Sequence, residues 1–221
     1  NVAVGYNSLL LNTTGIRNVA IGFEALKANT TAQTNIAIGA YTMSSFTGSA
    51  GENTAVGHSA LSSNVSGPDN NAYGYSSLGS ITTGSYNSAY GNQSGSAITT
   101  GVGNMLFGDN AGRSITTAGN NIMIGREAGK YTTATTTGEK NVIIGGYAHA
   151  DSADGDFQIV LGYNVAGYSD NYFAFGNASS DTVVPFGATN WSNPSDERFK
   201  KEITSSTAGL SFINDLRPVT F

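Results

Sequence analysis

A five-residue phrase ending in glycine returns along this chain at a nearly fixed interval. It reads NVAVG at residue 1, NVAIG at 18, NIAIG at 35, NTAVG at 53, NNAYG at 70, NSAYG at 87, NMLFG at 104, NIMIG at 121 and NVIIG at 141, and QIVLG at 158 and YFAFG at 172 continue it. The closing glycines, Gly5, Gly22, Gly39, Gly57, Gly74, Gly91, Gly108, Gly125, Gly145, Gly162 and Gly176, lie 17, 17, 18, 17, 17, 17, 17, 20, 17 and 14 residues apart. So regular a period marks a repeat architecture, in which each unit packs only against its neighbours. Seven residues before most of these glycines stands a turn, TTG at 13, 82, 99 and 136, TTA at 30 and 116, VSG at 65. A short strand, a glycine corner, a second short stretch (NSLL, EALK, SALS, SSLG) and this turn fill one coil of a narrow β-solenoid. The expected fold class is therefore all-β, a β-solenoid or β-roll of about 17 residues per coil over residues 1–176.

Side chains alternate along a strand, so each phrase has two faces. The residue before the glycine is always large and apolar, from Val4, Ile21 and Ile38 to Tyr90, Phe107 and Phe175. This face is expected to look into the coil. Two residues before the glycine stands Ala in the first six units, then Leu106, Met123, Ile143 and Val160. That second apolar series needs a cover, and two further copies of the chain are the economical one. A homotrimer is expected, with the Ala series near a common axis and the larger residues where the rods diverge, the alternative being a single-chain solenoid with a solvated face.

Composition excludes several classes. Only 11% of the 221 residues are charged, the net charge is −5, and the ten Lys and Arg are scattered singly until residue 198. No basic stripe is available to neutralise nucleic-acid phosphates or anionic lipid. With no cysteine there is no disulfide frame or thiolate metal site, and the apolar runs are far shorter than the roughly 20 residues of a membrane helix. No nucleic-acid partner, no membrane insertion and no cofactor are expected. The chain opens directly on a repeat, which reads as a fragment cut from a longer protein.

The repeating unit N-x-A-[IV]-G-x-x-[AS]-L resembles the repeats of trimeric autotransporter adhesin heads, which implies β-rolls packed as trimers. Beyond Gly176 the repeat gives way to an irregular connector, 177–194, holding Trp191, Pro185 and Pro194. A charge-dense stretch follows, with Ser195 as a helix cap and Asp196 and Glu197 in the first turn, so a short C-terminal α-helical segment is expected. The run SDERFKKEI, followed by GLSFINDLRPV, resembles closely the start of the self-cleaving intramolecular chaperones of phage tail fibres, tail spikes and endosialidases. The resemblance assigns 195–221 to the start of such a chaperone. It implies cleavage between Ser195 and Asp196, with Ser195 as nucleophile and Lys200 as the base that activates it. A lysine acts as a base only with its pKa lowered, and Arg198 and Lys201 are expected to contribute the cationic field for that. It further implies a homotrimeric tail-fibre or adhesin piece, on a virion tail or cell surface, that meets a bacterial glycan or protein receptor. No turnover enzyme is expected beyond that single cut.

Other chemistry is sparse. Tyr6, Phe23, Tyr75 and Tyr163 follow aligned glycines and are candidates for an aromatic ridge that stacks on sugars, or for corner packing. His58 and His149 read as solvent-facing substitutions. Asp151, Asp154 and Asp156 surround Gly155 in a loop that offers oxygens to Ca²⁺, but it lacks the spacing and closing Glu of an EF-hand and reads as an ordinary turn, so no metal is expected. The sequons at Asn12, Asn29, Asn64, Asn92, Asn177 and Asn190 follow from composition. Thr-rich turns recurring at each coil give an alternative function, an ice- or surface-binding solenoid. No paired carboxylates recur at a plausible cleft, as a depolymerase would need.

Overall fold

A computed structural model of the chain describes residues 1–49, 51–129, 135–177 and 181–188. These residues form a β-solenoid of about ten turns, about 17 residues apart, with no helix among them. The strands are β1 (Val2–Val4), β2 (Val19–Ile21), β3 (Ile36–Ile38), β4 (Thr54–Val56), β5 (Asn71–Tyr73), β6 (Ser88–Tyr90), β7 (Met105–Phe107), β8 (Ile122–Ile124), β9 (Val142–Ile144), β10 (Ile159–Tyr163), β11 (Tyr172–Asn177) and β12 (Thr182–Pro185). They form one sheet in sequence order. Through β11 the pairing is parallel and sets each residue beside its counterpart one coil on, as Ala3↔Ala20, Ala37↔Ala55 and Ala89↔Leu106. At the end the chain reverses, and β12 lies antiparallel on β11 with Tyr172 opposite Pro185. That strand falls inside the segment expected to be an irregular connector. The expected C-terminal helix lies outside the described residues.

The two faces of the strand are the reverse of the sequence expectation. Ala20, Ala37, Ala55, Ala72 and Ala89, then Leu106, Met123 and Ile143, are fully buried inside the coil. The residue before each glycine points outward, and Val4, Ile21, Ile38, Tyr73, Phe107, Ile124 and Ile144 are all exposed. The cause is width. A coil this small leaves room between its walls for Ala on the strand side and Leu or Ile from the opposite corners, so the β-branched and aromatic side chains of the strand are displaced to the outside.

The step from Ala89 to Leu106 and Met123 has the same origin, not a divergence of rods. Where the strand carries Ala72, the opposite corner carries Leu78, fully buried. Where it carries Leu106 and Met123, that corner is Gly112 and Gly129, and Leu106 also fills the space beside Gly95, the corner of the Ala89 coil. A methyl group on Gly112 would stand 2.6 Å from Leu106 Cδ2, and one on Gly95 2.7 Å from Leu106 Cδ1. From the Ala72 coil to the Met123 coil the large residue thus passes from the corner to the strand.

The second stretch of each coil is a corner, not a strand. Glu24 and Leu26, Ser59 and Leu61, Ser76 and Leu78 all have positive φ between 49° and 57°. For a residue with a side chain this costs on the order of 1 kcal/mol. Bonds to the next coil offset it, since the Leu26, Leu61 and Leu78 amides donate to the carbonyls of Thr42, Ser77 and Ser94 at 3.0–3.1 Å. The aligned glycines have no such latitude. At Gly74, with φ +133°, an added Cβ would press on the Gly91 carbonyl oxygen directly beneath.

The Asn that opens each phrase, which the sequence reading left without a role, forms a buried ladder. The side-chain oxygens of Asn18, Asn35, Asn53, Asn70, Asn87 and Asn104 each accept the backbone N–H of the Asn one coil on, at 2.9–3.1 Å. Their amide groups donate sideways, as Asn87 Nδ2 does to Asn70 Oδ1 at 3.1 Å and to the Gly101 carbonyl at 2.8 Å. Gln158 ends the run by donating its N–H to Asn141 Oδ1 at 2.8 Å. The amides of Asn35, Asn53, Asn87, Asn104 and Asn121 thus each tie three coils together while buried, where an unmet polar group would be costly.

Candidate functional site

With the core inside the coil, function falls to the outer surface, and the most ordered feature there is aromatic. Tyr6 and Phe23 stack at 5.4 Å and 15°, Phe23 meets Tyr41 at 5.2 Å and 66°, Tyr41 meets His58 at 5.7 Å and 67°, and His58 stacks on Tyr75 at 5.6 Å and 20°. Five rings from five successive coils form one ladder beside the glycine column. Three expected members, Tyr6, Phe23 and Tyr75, belong to it. His58 is exposed as expected, but it is a rung. Tyr41 was missed because it follows Gly39 by two residues instead of one.

Tyr163 lies elsewhere. It makes an edge contact with Tyr147 at 5.6 Å, and the Arg126 guanidinium sits 5.4 Å from the Tyr147 ring centre. A separate stack on the outer sheet face joins Tyr73, Tyr90 and Phe107 at 4.7 and 4.3 Å, with planes within 17°. Around it runs the column of outward Val and Ile side chains, so the outer sheet face is largely apolar, broken by Thr54, Asn71 and Ser88 in the middle strands.

The threonine turns present one open row, not a lattice. The first hydroxyl of most turns is spent between coils, Thr82 donating to the Thr99 carbonyl at 3.1 Å, Thr99 to Thr116 at 3.2 Å and Thr116 to Thr136 at 3.2 Å. The outward residues are Thr14, Thr31, Ser66, Thr83, Thr100, Thr117 and Thr137, one per coil, interrupted at Gly48.

The acidic loop is an extension of the inter-coil bonding. Asp156 accepts the Glu139 N–H at 2.6 Å, its own N–H goes to Asp170 Oδ1 at 2.8 Å, and Asp151 accepts from the Gln158 amide. Among the described residues no three acidic or histidine side chains gather as a metal site. Of the sequons, Asn29 and Asn64 are fully buried.

His149 corrects another expectation, for it is buried rather than solvent-facing. It occupies the inner corner taken by Gly129 one coil earlier, and its backbone bridges Ala166. Burial lowers its pKa below the usual 6.5, against a smaller upward pull from Asp181. The unfolded chain therefore binds the proton more readily. The stability His149 contributes should be complete above about pH 6.5 and decline as pH falls below it. Thermal melting between pH 8 and 5 should show this slope, and His149→Gln should flatten it.

Ser195 and Lys200 lie outside the described residues, as does Asp196. Compared with protein-family models, with curated proteins and with solved structures, the chain matches none.

Proposed function

We propose that this chain is the structural and adhesive distal part of a phage or phage-like tail fibre, a parallel homotrimer that presents its surface to a bacterial envelope. The reading rests on the S-D-x-R-x-K and G-L-x-F-I-x-x-L-x-P-V motifs of 195–221, whose resemblance to the intramolecular chaperones implies a clamp on three chains during folding. The uncovered outer sheet face supports it. Val4, Ile21, Ile38, Tyr73, Phe107 and Ile124 are exposed in one column, with Val56 and Tyr90 partly buried between them, and covering such half-exposed side chains is worth roughly 1 kcal/mol each. A second copy offers the same coil spacing, so its side chains interleave along the whole length, and the resemblance to trimeric heads sets the number at three. The interface is then the Val, Ile, Tyr and Phe column, in place of the Ala series.

In a longer chain that continues through a complete chaperone, one cut should occur between Ser195 and Asp196. Ser195→Ala should stop it and leave the trimer folded, because the hydroxyl supplies chemistry and only about 1 kcal/mol of helix capping. Lys200→Ala should stop it as well if lysine is the base. Mass spectrometry reads the cut, and light scattering reads the assembly. A chain that stays whole after folding reduces Ser195 to a helix cap, and a stable monomer at micromolar concentration removes the trimer.

A further inference from the structure

The five rungs of the aromatic ladder are not equivalent. Tyr6 lies flat against Phe23, and His58 lies flat against Tyr75, so in each pair a face is covered by a neighbour. Tyr41 stands between the pairs, at 66° to Phe23 and 67° to His58. Neither neighbour in the ladder therefore lies flat on the Tyr41 ring, and the residue is 41% exposed.

Polar groups flank it in register. The amides of Glu24, Tyr41 and Ser59 donate to the carbonyls of Tyr6, Phe23 and Ala40 at 2.8–2.9 Å, which places the three residues in one column on successive coils. Glu24 holds Lys27 at 2.9 Å, and Ser59 Oγ lies 2.9 Å from His58 Nδ1. An open aromatic face thus has an acid–base pair on one side and a hydroxyl–imidazole pair on the other.

We propose that Tyr41 is the stacking platform of a neutral pyranose, with the Glu24–Lys27 and His58–Ser59 pairs hydrogen-bonding its hydroxyls. The C–H face of a sugar ring carries partial positive charge and suits the negative face of an aromatic ring, while its rim of hydroxyls needs both donors and acceptors. Glu24 and Lys27 cancel, and the chain as a whole carries −5, so an uncharged sugar is favoured over an acidic one. The proposal rests on the adhesive reading above and names the ligand class for it.

The test is saturation-transfer NMR on the 221-residue chain with cellohexaose, maltohexaose and chitohexaose, and with sialyllactose as the acidic comparison. At least one neutral hexasaccharide should receive magnetisation at its ring C–H protons, ahead of sialyllactose. Tyr41→Ala should weaken that binding about tenfold or more, Tyr41→Phe should keep it, and Tyr163→Ala should leave it unchanged. Should the Ala variant fail to fold by circular dichroism, the wild-type Tyr41 ring resonances must shift on adding the sugar while those of Tyr163 do not. No transfer to any of the three, equal binding by a folded Tyr41→Ala chain, or a preference for sialyllactose overturns the proposal. None of these results touches the self-cleavage or the light scattering, so the sugar site and the tail-fibre reading fail separately.

Discussion

Ala37→Glu should leave no folded rod, whereas Val56→Glu should leave a folded rod that no longer assembles. Ala37 is fully buried and lies between Ala20 and Ala55 in the inner column. A carboxylate there has neither room nor a partner, and burying it costs several kcal/mol, a large share of the stability of an ordinary domain. Val56 is the outward residue of β4, where a carboxylate reaches water in the single chain and meets two like charges only if three copies pack on that face. Circular dichroism melting and light scattering of both variants separate the cases. A folded, monomeric Ala37→Glu chain would return the Ala column to the outside and restore the interface first expected from the sequence.

Asn87→Ala should be the most damaging single substitution of a polar residue in the described chain. It removes the acceptor for the Asn104 N–H and side-chain amide, both at 3.0 Å, and the donors to Asn70 Oδ1 and to the Ser85 and Gly101 carbonyls. The Asn104 N–H and the Gly101 carbonyl lose their partner, while Asn70 Oδ1 keeps the Asn87 N–H, the Ser85 carbonyl keeps the Gly103 N–H and Asn104 Nδ2 keeps the Ala118 carbonyl. At about 1–3 kcal/mol for each of the two buried groups left unmet, a loss of roughly 4 kcal/mol is expected. Asn87→Asp keeps the acceptor but loses the donors and adds a buried charge, so it should not rescue the fold. Denaturant titration measures both, and a loss below about 1 kcal/mol would mean that the ladder is ornamental.

Much of the coil was legible because its punctuation is steric. Gly5, Gly22, Gly39 and their successors sit where backbone meets backbone, so glycine recurs and the strand before it can be read off. Which face of the strand looks inward was not legible. Alternation distinguishes two faces, and hydrophobicity ranks Val and Ile above Ala, but only the width of the coil decides that Ala37 fits inside and Ile38 does not. The compensation between Leu106 and Gly112 is likewise invisible until the two are known to face each other. Asn87 looked like one of many turn residues, since nothing in a single sequence tells a buried amide from a solvated one. In the ladder, Tyr6, Phe23 and Tyr75 were found by counting from the glycine, and Tyr41 escaped because the count is off by one in that coil. His149 took a corner position whose inward direction had not been recognised.

The reversal at β12 bears on what such a sheet would otherwise do. A stack of identical parallel rungs has no intrinsic stop, and its last rung is a template on which the matching rung of another molecule can dock, then another, as in a growing fibril. Here the last rung is covered by a strand running the other way, and that strand ends on Pro185, whose ring nitrogen has no hydrogen to offer. Direction and chemistry both fail to match an incoming coil, so this edge of the described sheet offers no template on which another copy could continue the stack.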